Sequence, residues 1–261
     1  AILVRYEGAY GTNGVIVMGD RSGFQWVDAS EYNYIDKLVD GKLKRLKILP
    51  SELCNDEEFI RRVYLDLIGL PPTPEQVRAF LNDKTASKAK REKLVDTLLD
   101  SPQFVENWTH KWADLLQCNR TFMGETGVWL FRGWIQKAVA ENKPYDQFVR
   151  ELLTASGSTF QNPPANYYRV SKEPSIALEN MTQVFLGVRF ACAKCHDHPF
   201  EKWTQNQYYQ LGAFFAKVGV KNGQLPEEQI VYAKYRGGEV TRPTTGNVVA
   251  ASVPFDKTDG L

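Results

Sequence analysis

From about Ser30 to Val218 apolar residues recur at spacings of three and four, with polar residues between them, the repeat of amphipathic helices. The spacing predicts helices over 31–46, 56–68, 74–82, 87–100, 102–118, 126–141, 144–154, 173–188 and 204–217. In the eighth of these, Leu178, Met181, Phe185 and Val188 lie on one stripe, which faces the core. Three helix starts are marked by capping chemistry. Asn55 with Glu58, Thr73 with Gln76 and Thr204 with Gln207 each place a capping oxygen three positions before a side chain that can reach back to the cap. Pro74 reinforces the second, because its missing N–H falls where a helix has no partner for one. Gly69-Leu70-Pro71-Pro72 and the stretch 155–166, with Asn162-Pro163-Pro164, break the helical pattern.

The two ends read differently. Ile2–Tyr6 and Gly14–Met18 are β-favouring runs joined by Gly11-Thr12-Asn13-Gly14, and an isolated strand pair is marginal in water. Residues 1–27 therefore either dock on the helical body or are the terminal strands of a sandwich domain lying upstream, and the second is the expectation. Past Gly223, Gln229–Ala233 and Gly238–Thr241 predict short strands around a Gly237-Gly238 turn, and the tail beyond 243 reads as a linker. The expected architecture is mainly α. It has a short N-terminal β fragment (1–27), a helical body (28–222), and a small C-terminal β region with a linker toward a downstream domain (223–261).

Composition narrows the classes. In 261 residues, 43% are hydrophobic and 24% charged, enough to build a core without disulfide staples. The 32 Lys and Arg against 31 Asp and Glu give a net charge of +1, so the overall balance offers no nucleic-acid or anionic-membrane partner. Runs such as Val15–Met18 are far shorter than the roughly 18 residues of a membrane span, so no transmembrane segment is expected. The chain begins at Ala1 without a signal pattern, as expected of a processed protein or a piece of a longer one.

The chemistry is concentrated at Cys192-Ala193-Lys194-Cys195-His196. This is the Cys-x-x-Cys-His pattern of c-type haem attachment: two thiols three residues apart reach the two vinyl groups, and the adjacent imidazole ligates iron. Three other readings use the same residues. A zinc site could draw on Cys192, Cys195 and His196 or His198, but no second Cys/His cluster supplies its fourth ligand. A dithiol redox pair would lack the strand-then-helix setting of thioredoxins. The plainest reading is two packed cysteines beside an ordinary histidine.

The segment Phe190–Thr204, with Tyr208-Tyr209 and Ala213–Ala216 after it, resembles the planctomycete-type cytochrome-c-like domain of large multidomain exported proteins. Phe59–Thr73 and Thr241–Gly246 carry the same resemblance, which therefore spans about 55 to 246. It implies one covalent haem c on Cys192 and Cys195 with His196 as proximal iron ligand. It also implies a preceding bacterial immunoglobulin-like domain, whose last strands residues 1–27 resemble, and a further domain downstream. The implied setting is periplasmic or otherwise extracytoplasmic. The implied role is monohaem electron transfer, with neighbouring domains of the same polypeptide or a redox partner. An open-site haem enzyme, peroxidase-like, or a gas sensor is the alternative, and a zinc-stabilised or haem-free structural module a weaker one. Whether the chain is an enzyme is left open.

The methionines are Met18, Met123 and Met181, and none follows His196, unlike the common small cytochromes. His110 is the first candidate for a distal iron ligand, with Met123 and Met181 behind it and an open iron also possible. His198, restricted by Pro199, is expected to bond a propionate or nearby backbone. Weaker readings are a Cys54–Cys118 disulfide, a tryptophan-lined pocket and an ion pair within Arg61-Arg62…Asp66.

Overall fold

The computed structural model describes residues 2–6, 9–28, 30–199, 201–243 and 245–254. Phe200 and Thr244 of the resembling segments, and residues 255–261 of the predicted linker, lie outside them. The fold is mainly α, with 54% helix and ten α-helices among the described residues, beside antiparallel sheets of two or three strands.

At the start β1 (Ile2–Tyr6) pairs antiparallel with β2 (Ala9–Asn13), Ile2 opposite Asn13 and Tyr6 opposite Ala9. The second strand thus precedes the predicted run. Pairing Tyr6 with Ala9 closes a shorter loop than pairing with Gly14–Met18, at a smaller entropic cost, and Val15–Met18 is left exposed.

The helices then follow in turn: α1 (Tyr34–Arg45), α2 (Asp56–Ile68), α3 (Pro74–Asn82), α4 (Ser87–Leu99), α5 (Pro102–Leu115), α6 (Arg120–Ala140) and α7 (Tyr145–Leu153). The three predicted caps accept as expected: Asn55 from the Glu58 N–H, Thr73 from Gln76 and Thr204 from Gln207. The sixth helix starts earlier than predicted. Asn119 caps an extra turn, which Gly124 at φ 66° separates from the remainder. Gly is required there by conformation, and the Glu227 carboxylate packs over the Cα where a side chain would otherwise stand.

Beyond Leu153 the predicted break is more ordered than a loop. It holds β3 (Gly157–Ser158), a 3₁₀ turn at Pro163–Asn166 and the short α8 (Tyr167–Val170). Next come α9 (Pro174–Leu186), a second 3₁₀ turn at Phe190–Lys194, and α10 (Gln205–Ala216). Four strands close the described chain: β4 (Val218–Asn222), β5 (Gln229–Ala233), β6 (Val240–Thr241) and β7 (Val248–Val249). Here the structure corrects the predicted pairing. β5 lies between β3 and β4, whereas β6 pairs with β7 in the stretch read as linker. Gly237 and Gly238, at φ 75° and 77°, lead away from the sheet, and Gly238 packs on the Ala216 carbonyl. β6 and β7 both lie against α10.

Two apolar cores result. The larger is built by α5–α10 and the sheet, with Phe131, Ile135, Leu152, Leu178 and Met123 fully buried; Trp134 stacks on Phe131 and Phe148. The smaller gathers Ile60, Tyr64, Phe80 and Leu98 from α2–α4. α5 packs against α2, α4 and α6 and so joins the two. Arg62 pairs back to Glu58 at 3.5 Å, on the opposite side in sequence from the expected Asp66.

α4 is fastened to the first turn of α2 through Asp56. Its carboxylate takes the buried Lys90 ammonium at 2.7 Å, Arg91 Nε at 2.8 Å and the Ser87 hydroxyl at 2.9 Å. These donors hold the Asp56 carboxyl at about 2, below its ordinary 3.8. A depressed folded-state value stabilises the fold above the ordinary value, and the contribution is lost as pH falls toward 2. In urea denaturation, wild type is therefore expected to exceed Asp56→Asn in stability at neutral pH. That advantage should shrink as pH falls from about 4 to about 2; a difference independent of pH would contradict the assignment.

Candidate functional site

α9 ends at Leu186 with Gly187 in the left-handed region at φ 66°, and the chain turns into the 3₁₀ segment Phe190–Lys194. Residues three apart eclipse one another in this geometry. Phe190 and Ala193, 2% and 0% exposed, face the core, while Cys192 and, at the end of the turn, Cys195 stand three apart in solvent. Burial of one pair therefore presents the other.

The loop from Cys195 to Thr204 folds back onto α10. The Gln205 side-chain amide, itself buried, donates to the carbonyls of Lys194 at 3.1 Å and Cys195 at 2.9 Å. Its oxygen accepts from Arg242 Nε at 3.3 Å. The Gln205 backbone N–H, in the first turn of α10, donates to Asp197 Oδ1 at 2.7 Å, and the Tyr209 hydroxyl donates to the Lys194 carbonyl at 3.0 Å. Within the loop, the His198 N–H donates to the Trp203 carbonyl at 2.7 Å. The Glu201 N–H donates to His198 Nδ1 at 3.0 Å, and Trp203 Nε1 to Glu201 Oε2 at 2.7 Å. The expectation that His198 bonds nearby backbone is met by these contacts. Burial and its bond to Glu179 push the Tyr208 hydroxyl far above its ordinary range, so it stays protonated and donates at 2.6 Å.

His196 is exposed, and its Nδ1 lies 2.6 Å from the Asp197 carbonyl. A carbonyl oxygen only accepts, so Nδ1 carries the proton, and in the neutral ring Nε2 keeps its lone pair. A metal-ligating imidazole needs this tautomer, with its other nitrogen donating to a carbonyl. Beside the turn, Thr182, Leu186, Val188, Phe190, Trp203 and Leu211 line an open groove of about 200 Å³, bordered by Val253 and Pro254. The lining Thr182 spends its hydroxyl on the carbonyls of Leu178 and Glu179. Paired outward thiols, an imidazole with a free Nε2 and an adjoining apolar groove all fit the attachment of a haem.

The family model PSCyt2, described as a protein of unknown function (DUF1549), matches residues 34–219, more than half of the chain. The chain belongs to the PSCyt2 family. This is a planctomycete cytochrome-c-like domain family, so that part of the sequence resemblance is established, whereas residues 1–27, likened to an immunoglobulin-like domain, lie outside the PSCyt2 match. No curated protein and no solved structure matches.

The other PSCyt2 candidates lie on different elements. His110 is exposed on α5, its Nε2 3.0 Å from Glu106, which also binds Arg132. Met123 is buried at the turn before Gly124. Met181 is buried on α9, which packs against the 3₁₀ turn. It lines a second apolar cavity that shares Leu211 and Val253 with the groove. Among the described residues no three His, Cys, Asp or Glu side chains form a group able to hold a metal ion, so the zinc reading finds no such cluster there. Cys54 and Cys118 are both free, as are Cys192 and Cys195, so the Cys54–Cys118 disulfide raised as a weaker reading is not formed. Of the tryptophans, Trp203 lines the groove, whereas Trp134 and Trp112 pack with Phe148. Sequence reading missed Gln205 and Arg242. The Thr204 cap signalled the helix start, but nothing in the periodicity signalled a side chain folding back on the motif.

Burial pushes the Cys118 thiol up to about 11, which leaves about one molecule in a thousand as thiolate near pH 8. In the haem-free chain, Cys192 and Cys195 are expected to react with a disulfide reagent well ahead of Cys118, read by peptide mass mapping. Labelling of Cys118 at an equal rate would contradict this placement.

Proposed function

We propose that this chain is a monohaem c-type cytochrome domain, with one haem c joined through Cys192 and Cys195 and His196 as proximal iron ligand. The observation that carries the reading is the His196 tautomer: Nδ1 donates to the Asp197 carbonyl and Nε2 is free, one residue beyond two exposed thiols on the same turn. When bound, the haem supplies one-electron exchange. The chain's own residues orient the imidazole, and Phe190, Trp203 and Leu211 give the adjoining groove an apolar lining. The role we assign is electron transfer within a larger exported protein, in the periplasm or otherwise outside the cytoplasm, with neighbouring domains or a redox partner. Residues 1–27 are read as the end of an upstream immunoglobulin-like domain, 28–222 as the cytochrome-like domain and 223–261 as leading to a further one. Among the described residues no helix is long and apolar enough to cross a membrane.

A second reading, an open-site haem enzyme or gas sensor, is favoured by the position of His110. Its imidazole is engaged by Glu106 on the exposed side of α5. Of the three candidate distal ligands, Met181 is the one whose helix packs against the 3₁₀ turn, and it is tested beside His110 and Met123.

The full chain, coexpressed with a haem-attachment system, is expected to carry one haem in a denaturing mass spectrum. Cys192→Ala with Cys195→Ala should abolish the adduct, and His196→Ala should retain it with an altered absorption spectrum. A low-spin wild type that becomes high-spin in only one of Met181→Ala, His110→Ala and Met123→Ala identifies the distal ligand. A high-spin wild type that binds carbon monoxide supports the open-site reading. An unmodified wild-type mass overturns both.

A further inference from the structure

α1 is set apart from the other long helices by how it is oriented. None of its residues is buried, and only Asp36, Asp40 and Leu43 are half-buried. Outward it presents Tyr34, Ile35 and Leu38, which are 75%, 53% and 68% exposed. Lys37, Lys42 and Arg45 are also exposed, and they line one open groove with Tyr34, Leu38 and Ile16. Ile16 belongs to the exposed run Val15–Met18, so the apolar patch extends beyond the helix itself. The chain's near-neutral balance conceals this separation: the Asp36 carboxylate is turned back onto the N–H groups of Tyr32 and Asn33 and Asp40 is half-buried, while cations and apolar side chains share the exposed face.

We propose that the outer face of α1, with Ile16 beside it, docks on an anionic lipid surface, lying in the headgroup region without spanning the bilayer. Exposed apolar side chains interleaved with cations match a surface that is negative outside and hydrocarbon beneath, and long basic side chains can keep their charge in the headgroups while their stems stay apolar. A second copy of the chain fits less well. Face-to-face pairing would oppose Lys37, Lys42 and Arg45 with the same residues. A 12-residue helix, about 18 Å long, also offers far less than the roughly 1,200 Å² of a stable protein interface. Each Lys or Arg near such a membrane surface strengthens binding about fivefold. The inference does not depend on haem attachment.

The test is flotation of the full chain with vesicles of equimolar phosphatidylglycerol and phosphatidylcholine, against vesicles of phosphatidylcholine alone. Binding to the anionic vesicles only, weakened by high salt, is expected. Lys42→Gln with Arg45→Gln should weaken it about 25-fold. Leu38→Ser should also weaken it, and Lys137→Gln on α6 should leave it unchanged. Circular dichroism of each variant separates lost docking from lost folding. Failure to float with anionic vesicles, equal binding to both vesicle types, or a Leu38→Ser variant that binds like wild type would overturn the proposal. So would a concentration-dependent dimer, seen by sedimentation without lipid and abolished by Leu38→Ser, because the face would then belong to a second copy.

Discussion

Burial of Phe190 and Ala193 is the constraint on which the candidate site depends. A 3₁₀ turn places every third residue on one side, so seating these two against α9 and α10 fixes Cys192 and Cys195 on a different side. Phe190 is also packed edge-on to Trp203 and tilted against Tyr208, and a ring held by two others has little freedom to rotate the turn. The outward position of the thiols is thus a consequence of core packing, with no polar contact needed to point them.

A second requirement is that the carbonyls freed by the short turn find donors. Lys194 and Cys195 receive them from Gln205 and Tyr209, both on α10. A buried amide left unpaired would be costly, and here both ends of the Gln205 side chain are used. Arg242, just beyond β6, supplies the partner for its oxygen. The C-terminal segment thereby supports the motif across a long stretch of sequence and does not simply lead away from it. Asp197 in turn accepts from the first turn of α10, where free N–H groups favour a carboxylate. The loop containing His196 and His198 is consequently anchored at both ends.

The smaller core is organised by charge as well as by apolar packing. Lys90 lies between the Phe80 carbonyl, the Phe80 ring and Asp56, so a buried ammonium is both neutralised and hydrogen-bonded. Arg91 lies over Phe59 and reaches the Cys54 carbonyl. α1 makes no comparable buried attachment, which leaves its outer face to the surroundings.

Much of the helical frame was legible along the chain. Asn55, Thr73 and Thr204 mark starts, because capping satisfies backbone groups within one turn and so depends only on neighbours. The Met181 stripe is likewise local, since a 3.6-residue repeat has one inward face whatever it packs against. The motif Cys192–His196 is also recognised from spacing alone. The tertiary structure decided which nitrogen of His196 is free, which way the two thiols face and that Gln205 and Arg242 support them. It also decided that β5 pairs with β3 and β4, while β6 turns away to pair with β7. Local sequence sets the geometry of a few consecutive bonds. Partners distant in the chain are chosen only when burial forces each polar group to find a donor or acceptor nearby in space.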